Sequence, residues 1–476
     1  MKHILSIAFL FIPLIAFIQS RNHFFKKLRL KGDVITAGEA LFSFSGWFSG
    51  DYQTETEKYL NDNFGFRNVC VRINNQLEYS LFKKVNAKDV IIGKDNYLFE
   101  GSYIRAYFGS DFIGADKIID RTMKMKYIQD TLVKLHKTLI IVFAPSKASF
   151  YPEYIPDSCI KQKGKTNYEA YAQYANGLHV NHIDFNKYFI ENKNKSKYPL
   201  YPQYGVHWSF YGTCLATDSL IRYIEYKRGI RMPHIFWNQV DVKNAYAFSD
   251  YDIADGMNLL FKFGKQKLAY PRVQFESGTG KTKPSVLVVA DSHYWGMFNL
   301  GISQAFLHND FWYYNREVYS EKEHGLSSPG QLTLKNEIKD HDVFIIMATQ
   351  STLNDMGWGF VDNLYNFFKG TAGTIPHFNE KVATKKLYIR TNAKWMTDIG
   401  LKAQKKQISI DSMITLDAIW VVEDDYKKQL QWQRQAIKSN PKWMEQIKIK
   451  ANARKLSVDS MVNLDAKWVT DNAEKH

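Results

Sequence analysis

Ser292 stands two residues past the apolar run Ser285 to Ala290, inside the tripeptide Asp291-Ser292-His293. A serine at the carboxyl end of a central strand is where several folds place a nucleophile; the same Asp-Ser pair also serves as an ordinary helix cap. A second segment offers a base. Tyr198 to Gly212 (YPLYPQYGVHWSFYG) leads into a helix expected from about Thr213 to Lys227, with His207 at its mouth. A neutral imidazole there could take the proton of a serine hydroxyl held elsewhere in the fold. His293 is the competing histidine, but neighbours in a strand-to-helix turn point their side chains apart, which favours His207. Only three cysteines occur (Cys70, Cys159, Cys214) and none forms a CxxC pair. A disulfide framework and a structural zinc site are therefore not expected, although one pair could bond in an oxidising compartment.

Residues placed this way need a sheet to carry them. Leu139 to Ala144, Ser285 to Ala290 and Val343 to Ala348 are continuous apolar runs that end in small or polar residues. Such runs fit parallel strands covered on both faces, and the helical stretches between them predict an α/β fold. Ligands in these sheets sit beyond the carboxyl ends of the strands, where Ser292 lies. Upstream, residues 22–60 form a basic, aromatic lead-in with His23-Phe24-Phe25 and Phe42-Ser43-Phe44, and Asp51 to Leu81 reads as helical.

The last ninety residues differ. Ile389 to Val422 realigns on Ile437 to Thr470 at an offset of 48, with seventeen identities in thirty-four positions and no gap. Each unit reads as a helical hairpin: Asn440-Pro441 makes an N-cap with proline at the first helical position, and Ser409 and Ser457 can cap the second helices. Trp395, Ile399 and Ala403 share one helical face, so the tryptophans and methionines are expected to pack between hairpins. Two units are few for a free-standing solenoid and are expected to lean on the main domain as an interaction appendage.

The Asp-Ser and His-Trp motifs, both set after strands, resemble those of the SGNH-like alginate O-acetyltransferase family, the AlgJ/AlgX type. Asn63 to Asn68, Ile92 to Phe99, Ala144 to Lys147 with Tyr151-Pro152-Glu153, Asp252 to Asp255 and Ala348-Thr349-Gln350 resemble that family's blocks in order, over roughly residues 50–370. The resemblance implies an SGNH-like three-layer α/β domain with a parallel sheet, with Ser292 as nucleophile and His207 as general base. It further implies a covalent acetyl-serine and an oxyanion hole. The Ser292 backbone amide is a natural donor, Asn258 and Asn299 are alternative side-chain donors, and Asp291 is a supporting residue. Three departures stand out: Gly205 where the family has an aspartate two residues before the histidine, Ala290 where glycine is commoner, and Gln350-Ser351 in place of a Glu-Arg pair. Either a Ser-His dyad suffices, an acid arrives from elsewhere in the chain, or activity is lost.

The chain thus divides into residues 1–21 as a signal peptide or signal-anchor, 22–380 as the SGNH-like acetyltransferase domain, and 385–476 as two 48-residue helical-hairpin repeats. Ile4 to Ile18 is fifteen residues without a charge, short of the roughly 20 that span a bilayer. It fits an export signal, although Ile18-Gln19-Ser20 is a poor cleavage site and Arg21, Lys26, Lys27, Arg29 and Lys31 follow it. A periplasmic protein held at the inner membrane by this segment is the expectation. The expected function is transfer of acetyl groups to a cell-surface or exopolysaccharide, with no metal or cofactor. No acetyl-CoA loop is visible, which fits an acyl group delivered by a membrane-bound O-acyltransferase partner. A carbohydrate esterase and a non-catalytic glycan-binding or assembly protein are the alternatives. At 476 residues, 45% hydrophobic and 23% charged, the chain is neither collagen-like, low-complexity nor wholly disordered. Its formal +15 suits an anionic partner, yet an exported chain with no nucleic-acid-binding motif is not expected to bind nucleic acid. Residues 381–476 hold 19 Lys/Arg against 11 Asp/Glu, a net +8 and more than half of the excess.

Overall fold

The computed structural model describes residues 11, 14–22, 24–26, 28–32, 36–320, 329, 334–369, 378–406, 409–453 and 457–472. Residues 1–10, 12 and 13 of the apolar run, His23 and Lys27 lie outside them. No helix among the described residues is long and apolar enough to cross a membrane. The three cysteines are free thiols.

The described residues contain ten strands: β1 (Val90–Ile92), β2 (Leu98–Glu100), β3 (Thr138–Phe143), β4 (His182–Asp184), β5 (Ile235–Lys243), β6 (Leu268–Phe275), β7 (Ser285–Ala290), β8 (His308–Tyr313), β9 (Glu317–Tyr319) and β10 (Val343–Ala348). Six of them form the central sheet, in the order β4-β3-β10-β7-β8-β9. All its pairs are parallel except β8 with β9. The register sets Val343 of β10 beside Thr138 of β3 and Val286 of β7. Every residue of β3, β7 and β10 is buried, as their unbroken apolar runs require. Alternation along the strands feeds two cores. Ile140, Val142, Val286, Val288, Ile345 and Met347 face one, and Leu139, Ile141, Leu287, Val289, Phe344 and Ile346 face the other. Each such aliphatic side chain contributes about 1.5–3 kcal/mol when fully buried. Helices cover both faces, which makes an α/β domain of three layers with a largely parallel sheet.

The helices that matter below are α1 (Asp51–Asn63), α2 (Arg67–Phe82), α3 (Ala115–Lys134), α4 (Phe210–Arg228), α5 (Asp252–Gly256) and α6 (Tyr294–Leu300). The single helix expected over Asp51 to Leu81 is two, broken at Phe64-Gly65-Phe66. Close approach explains the break: a Cβ on Gly65 would meet the Ala16 carbonyl oxygen at 2.3 Å. The helix expected from about Thr213 begins earlier, at Phe210, because Ser209 caps it by accepting the Gly212 amide at 3.0 Å.

Beyond the sheet run α7 (Phe378–Thr391), α8 (Ala393–Lys406), α9 (Ile410–Ser439), α10 (Pro441–Ala453) and α11 (Val458–Asn472), the helical C-terminal region. Asn392 and Asn440 cap α8 and α10 by accepting the amides of Trp395 and Trp443. The first hairpin shares a core with the body through Ile389, Ile399, Met413, Ile414 and Ile419. It is also tied there by Thr415, which donates to Asp116 at 3.0 Å, and by the Lys386–Asp116 ion pair. The second hairpin has its own small core of Ile437, Ile447, Ala451, Met461, Val462 and Ala466. The repeat methionines Met413 and Met461 are buried as expected, but Trp420 and Trp468 face solvent, which corrects the core role expected for every tryptophan.

Lys147, just past β3, is a fully buried cation. Its Nζ donates to the carbonyls of Gln203 and Gly205, at 2.8 and 2.6 Å, and so ties the turn after β3 to the segment leading to His207. Burial pushes its ammonium down to about 7, opposed by Asp252 and Glu100. Lys147→Met strands both carbonyls, at about 1–3 kcal/mol each. We expect it to lower the urea midpoint accordingly with an unchanged slope; an unchanged midpoint contradicts the tie.

Candidate active site

The carboxyl ends of β3, β10 and β7 lie side by side, and the residues just past them form the floor of the site. Asp291 closes the turn after β7. One of its oxygens accepts the His293 amide at 3.0 Å, and the other accepts the Thr349 amide and the Thr352 hydroxyl, both at 2.8 Å. This buried carboxylate therefore fastens the serine turn to the end of β10, and its contacts are structural.

Ser292 and His207 are brought together from 85 residues apart: His207 Nε2 stands 2.9 Å from Ser292 Oγ. The opposite ring nitrogen, Nδ1, meets Asp252 Oδ2. A carboxylate only accepts, so Nδ1 carries the ring proton and Nε2 is left to accept from the serine. The other Asp252 oxygen accepts the amides of Val206 and Ile253, at 2.8 and 2.7 Å. Asp252 is thus held by the segment that carries the histidine. Burial pushes the His207 imidazole down, but Asp252, with Asp291 and Glu100 farther off, outweighs it and holds the pKa above its ordinary value.

Asp252 supplies the acid from elsewhere in the chain. It lies in the connection between β5 and β6, an antiparallel arm outside the main sheet. Gly205, where an aspartate was expected, explains the arrangement. A Cβ there would meet the Ser249 carbonyl oxygen at 2.5 Å and the Asp250 carbonyl carbon at 2.9 Å. The strand of chain that delivers Asp252 therefore occupies the space that a side chain at 205 would need. The block Asp252 to Asp255 was visible in the sequence, but nothing in its spacing tied it to His207.

His293 is fully buried and neither ring nitrogen has a hydrogen-bond partner among the described residues. Its ring lies 4.6 Å from that of His207 and 5.7 Å from Trp208, centroid to centroid. Burial, with His207 adding, holds it well below its ordinary pKa, so it stands as a neutral wall. Asn258 is corrected as an oxyanion donor. Its amide nitrogen donates to the carbonyls of Lys31 and Gly256, both at 3.0 Å, and its oxygen accepts the Lys31 amide at 2.7 Å. Asn299 is exposed on α6 and lines a pocket with Ser292. Gln350, at the Gln350-Ser351 departure, is buried and accepts the Ser149 hydroxyl at 2.6 Å. Tyr314, absent from the sequence reading, sits in a left-handed turn at φ 48° after β8. Burial raises its phenol, while the hydroxyl and amide of Ser292 beside it act in the opposite direction.

Two spaces meet at Ser292 and His207. A cleft of ≈ 1160 Å³ is lined by polar groups including Lys31, Lys88, Glu100, Arg105 and Asp255. A smaller pocket of ≈ 180 Å³ on the other side is walled by Phe210, Phe248, Trp295 and Leu300.

Residues 90–234 match a protein-family model described as an SGNH hydrolase-like domain, acetyltransferase AlgX. The match takes in His207 and stops short of Asp252 and Ser292. No curated protein sequence matches the chain. Among solved structures, the chain is similar to the O-acetyltransferase domain of Pseudomonas putida AlgJ, at 14% identity and a TM-score of 0.38, covering 58% of this chain and 99% of that one. It is similar to Pseudomonas aeruginosa AlgX at 13% identity and a TM-score of 0.36, covering 58% and 67%. Bacillus cereus PatB1 with a sulfonyl adduct is similar at 12% identity and a TM-score of 0.39, covering 58% and 98%.

Asp252→Asn is expected to lower turnover of an activated acetyl ester by about 10⁴, by analogy with the loss of a triad carboxylate. Removing the anion also makes the imidazolium easier to deprotonate. The acidic limb of the pH–rate profile therefore moves to lower pH, and a limb that stays put contradicts the assignment. Gly205→Asp restores nothing and lowers the thermal midpoint, because its side chain collides with the Ser249 carbonyl.

Proposed function

Starting from the AlgX-type, SGNH hydrolase-like acetyltransferase segment at residues 90–234, we propose that this protein transfers acetyl groups to polysaccharide hydroxyls outside the cytoplasm, through an acyl-serine at Ser292. The observation that carries the proposal is the chain Asp252–His207–Ser292, in which the carboxylate holds Nδ1 and leaves Nε2 facing the hydroxyl.

In the first half-reaction Ser292 Oγ attacks the acetyl carbonyl while His207 Nε2 takes its proton. Asp252 stabilises the imidazolium that forms. The oxyanion of the tetrahedral intermediate is received by the Ser292 amide, with Asn299 as the side-chain candidate. Collapse breaks the bond to the donor oxygen, which leaves with the proton from His207. In the second half-reaction His207 deprotonates a sugar hydroxyl, whose oxygen attacks the acetyl-serine and frees Ser292. The aromatic pocket suits the small acyl group, and the polar cleft suits a hydroxyl-rich chain. A membrane-bound O-acyltransferase is the proposed source of the acyl group, and the N-terminal apolar run is the proposed export signal.

An esterase would share every group named here and differ only in admitting water to the second step. The non-catalytic reading drew its support from Gly205, and the Asp252 carboxylate at His207 removes that support. We expect Ser292→Ala to abolish acetate release from an activated acetyl ester while its circular dichroism stays that of the parent. Adding an oligosaccharide acceptor to the parent should divert acetyl from acetate to sugar. Hydrolysis with no acetyl-sugar identifies the esterase, and no hydrolysis at all contradicts the catalytic reading.

A further inference from the structure

The two C-terminal hairpins repeat a constellation that the acetyl-transfer chemistry does not use. In the first, Trp395 Nε1 and Lys402 Nζ both donate to Asp417 Oδ2, at 2.9 and 2.8 Å. Forty-eight residues on, Trp443 Nε1 and Lys450 Nζ donate to Asp465 Oδ2, at 3.4 and 2.8 Å. Three residues past each aspartate, on the same helical face, stands a second indole. Trp420 is 60% exposed and Trp468 67% exposed.

Most identities between the repeats have a structural reason. Ile389, Ile399, Ala403 and Met413 are buried, as are their counterparts Ile437, Ile447, Ala451 and Met461. Asn392 and Asn440 cap helices, and Asp411 and Asp459 pair with Arg390 and Lys438. The outward tryptophans have none of these roles. Seventeen of thirty-four positions have diverged, yet a large apolar side chain is kept in water at the same place in both copies. One scattered surface hydrophobe needs no explanation, but a repeated one beside a fixed ion pair marks a contact surface.

In the first hairpin this face walls a groove of ≈ 760 Å³, lined by Trp395, Trp420, Lys402 and Asp417 on one side and by Lys126 and His179 of the body on the other. We propose that this groove, and the matching face beside Trp468, bind an acidic polysaccharide. A pyranose ring presents flat C–H surface to an indole and hydroxyls at its rim to the Asp and Lys groups. The net +8 of residues 381–476 favours a chain that carries carboxylates. A helical protein partner would need a continuous apolar stripe, which the Asp–Lys pair interrupts in each repeat. Two such faces on one support raise the effective concentration of a chain already held at one of them. The choice of a polysaccharide rests on the acceptor proposed above; the binding itself does not depend on Ser292.

The test is calorimetric titration of the full-length protein with alginate oligomers at about 0.15 M salt, where long-range charge effects are screened. Trp420→Ala and Trp468→Ala should each weaken binding about tenfold and the pair about a hundredfold. Trp420→Phe should retain most of the affinity, and the tryptophan variants should hydrolyse a small activated acetyl ester at the parent rate. Ser292→Ala should bind as the parent does, so loss of catalysis and loss of binding are told apart. The proposal is overturned by a parent that does not bind alginate oligomers, or by a double variant that binds them undiminished. Preference for neutral cello-oligosaccharides overturns the acidic assignment. A dimer in sedimentation that dissociates in the Trp468→Ala variant overturns it in favour of protein docking.

Discussion

The site depends on a ring that must be held at both nitrogens by groups from different parts of the chain. His207 accepts a proton from Ser292 most readily when a carboxylate holds its Nδ1 proton and stabilises the imidazolium, and that carboxylate, Asp252, comes from the arm between β5 and β6. Three segments therefore have to converge: the turn after β7, the approach to α4, and the β5–β6 connection. Each is pinned by a buried polar group. Asp291 fixes the first to the end of β10, Lys147 fixes the second to the end of β3, and the amides of Val206 and Ile253 fix the third. The parallel sheet supplies the common edge where these ties can meet.

Such an arrangement was only partly legible in the sequence. Unbroken apolar runs mark β3, β7 and β10 because strands covered on both faces have no need of alternation. Ser292 could be picked out from its place after one of these runs, and His207 from its place before a helix. Asp252 could not, since its link to His207 is made through space by a connection that leaves no periodic signal. The absent aspartate at 205 looked like a defect, whereas the backbone of residues 249–250 fills that space. Asn258 looked like a donor because composition shows an amide but not what it already binds. The break at Gly65 was hidden for a similar reason, because a long-range approach by Ala16 imposes it on an otherwise helical stretch.

The repeats were legible by self-alignment, and their caps and buried methionines follow from helix geometry. Their outward indoles do not follow from it, because amphipathic spacing assigns a face without saying whether another element covers it. The charge divides in the same way. The appendage carries a net +8, while the catalytic cleft mixes Lys31, Lys88 and Arg105 with Asp89, Glu100, Asp252 and Asp255. On the proposed reading, attraction for an anionic chain belongs mainly to the appendage, and the chemistry to a locally balanced site.

Peptide mapping by mass spectrometry after brief exposure to an activated acetyl ester tests the central claim most directly. The account predicts one acetyl group on Ser292 in the parent protein and none there in a His207→Ala variant. Acetylation that is unchanged by that variant, or that falls on other residues and leaves Ser292 free, contradicts it.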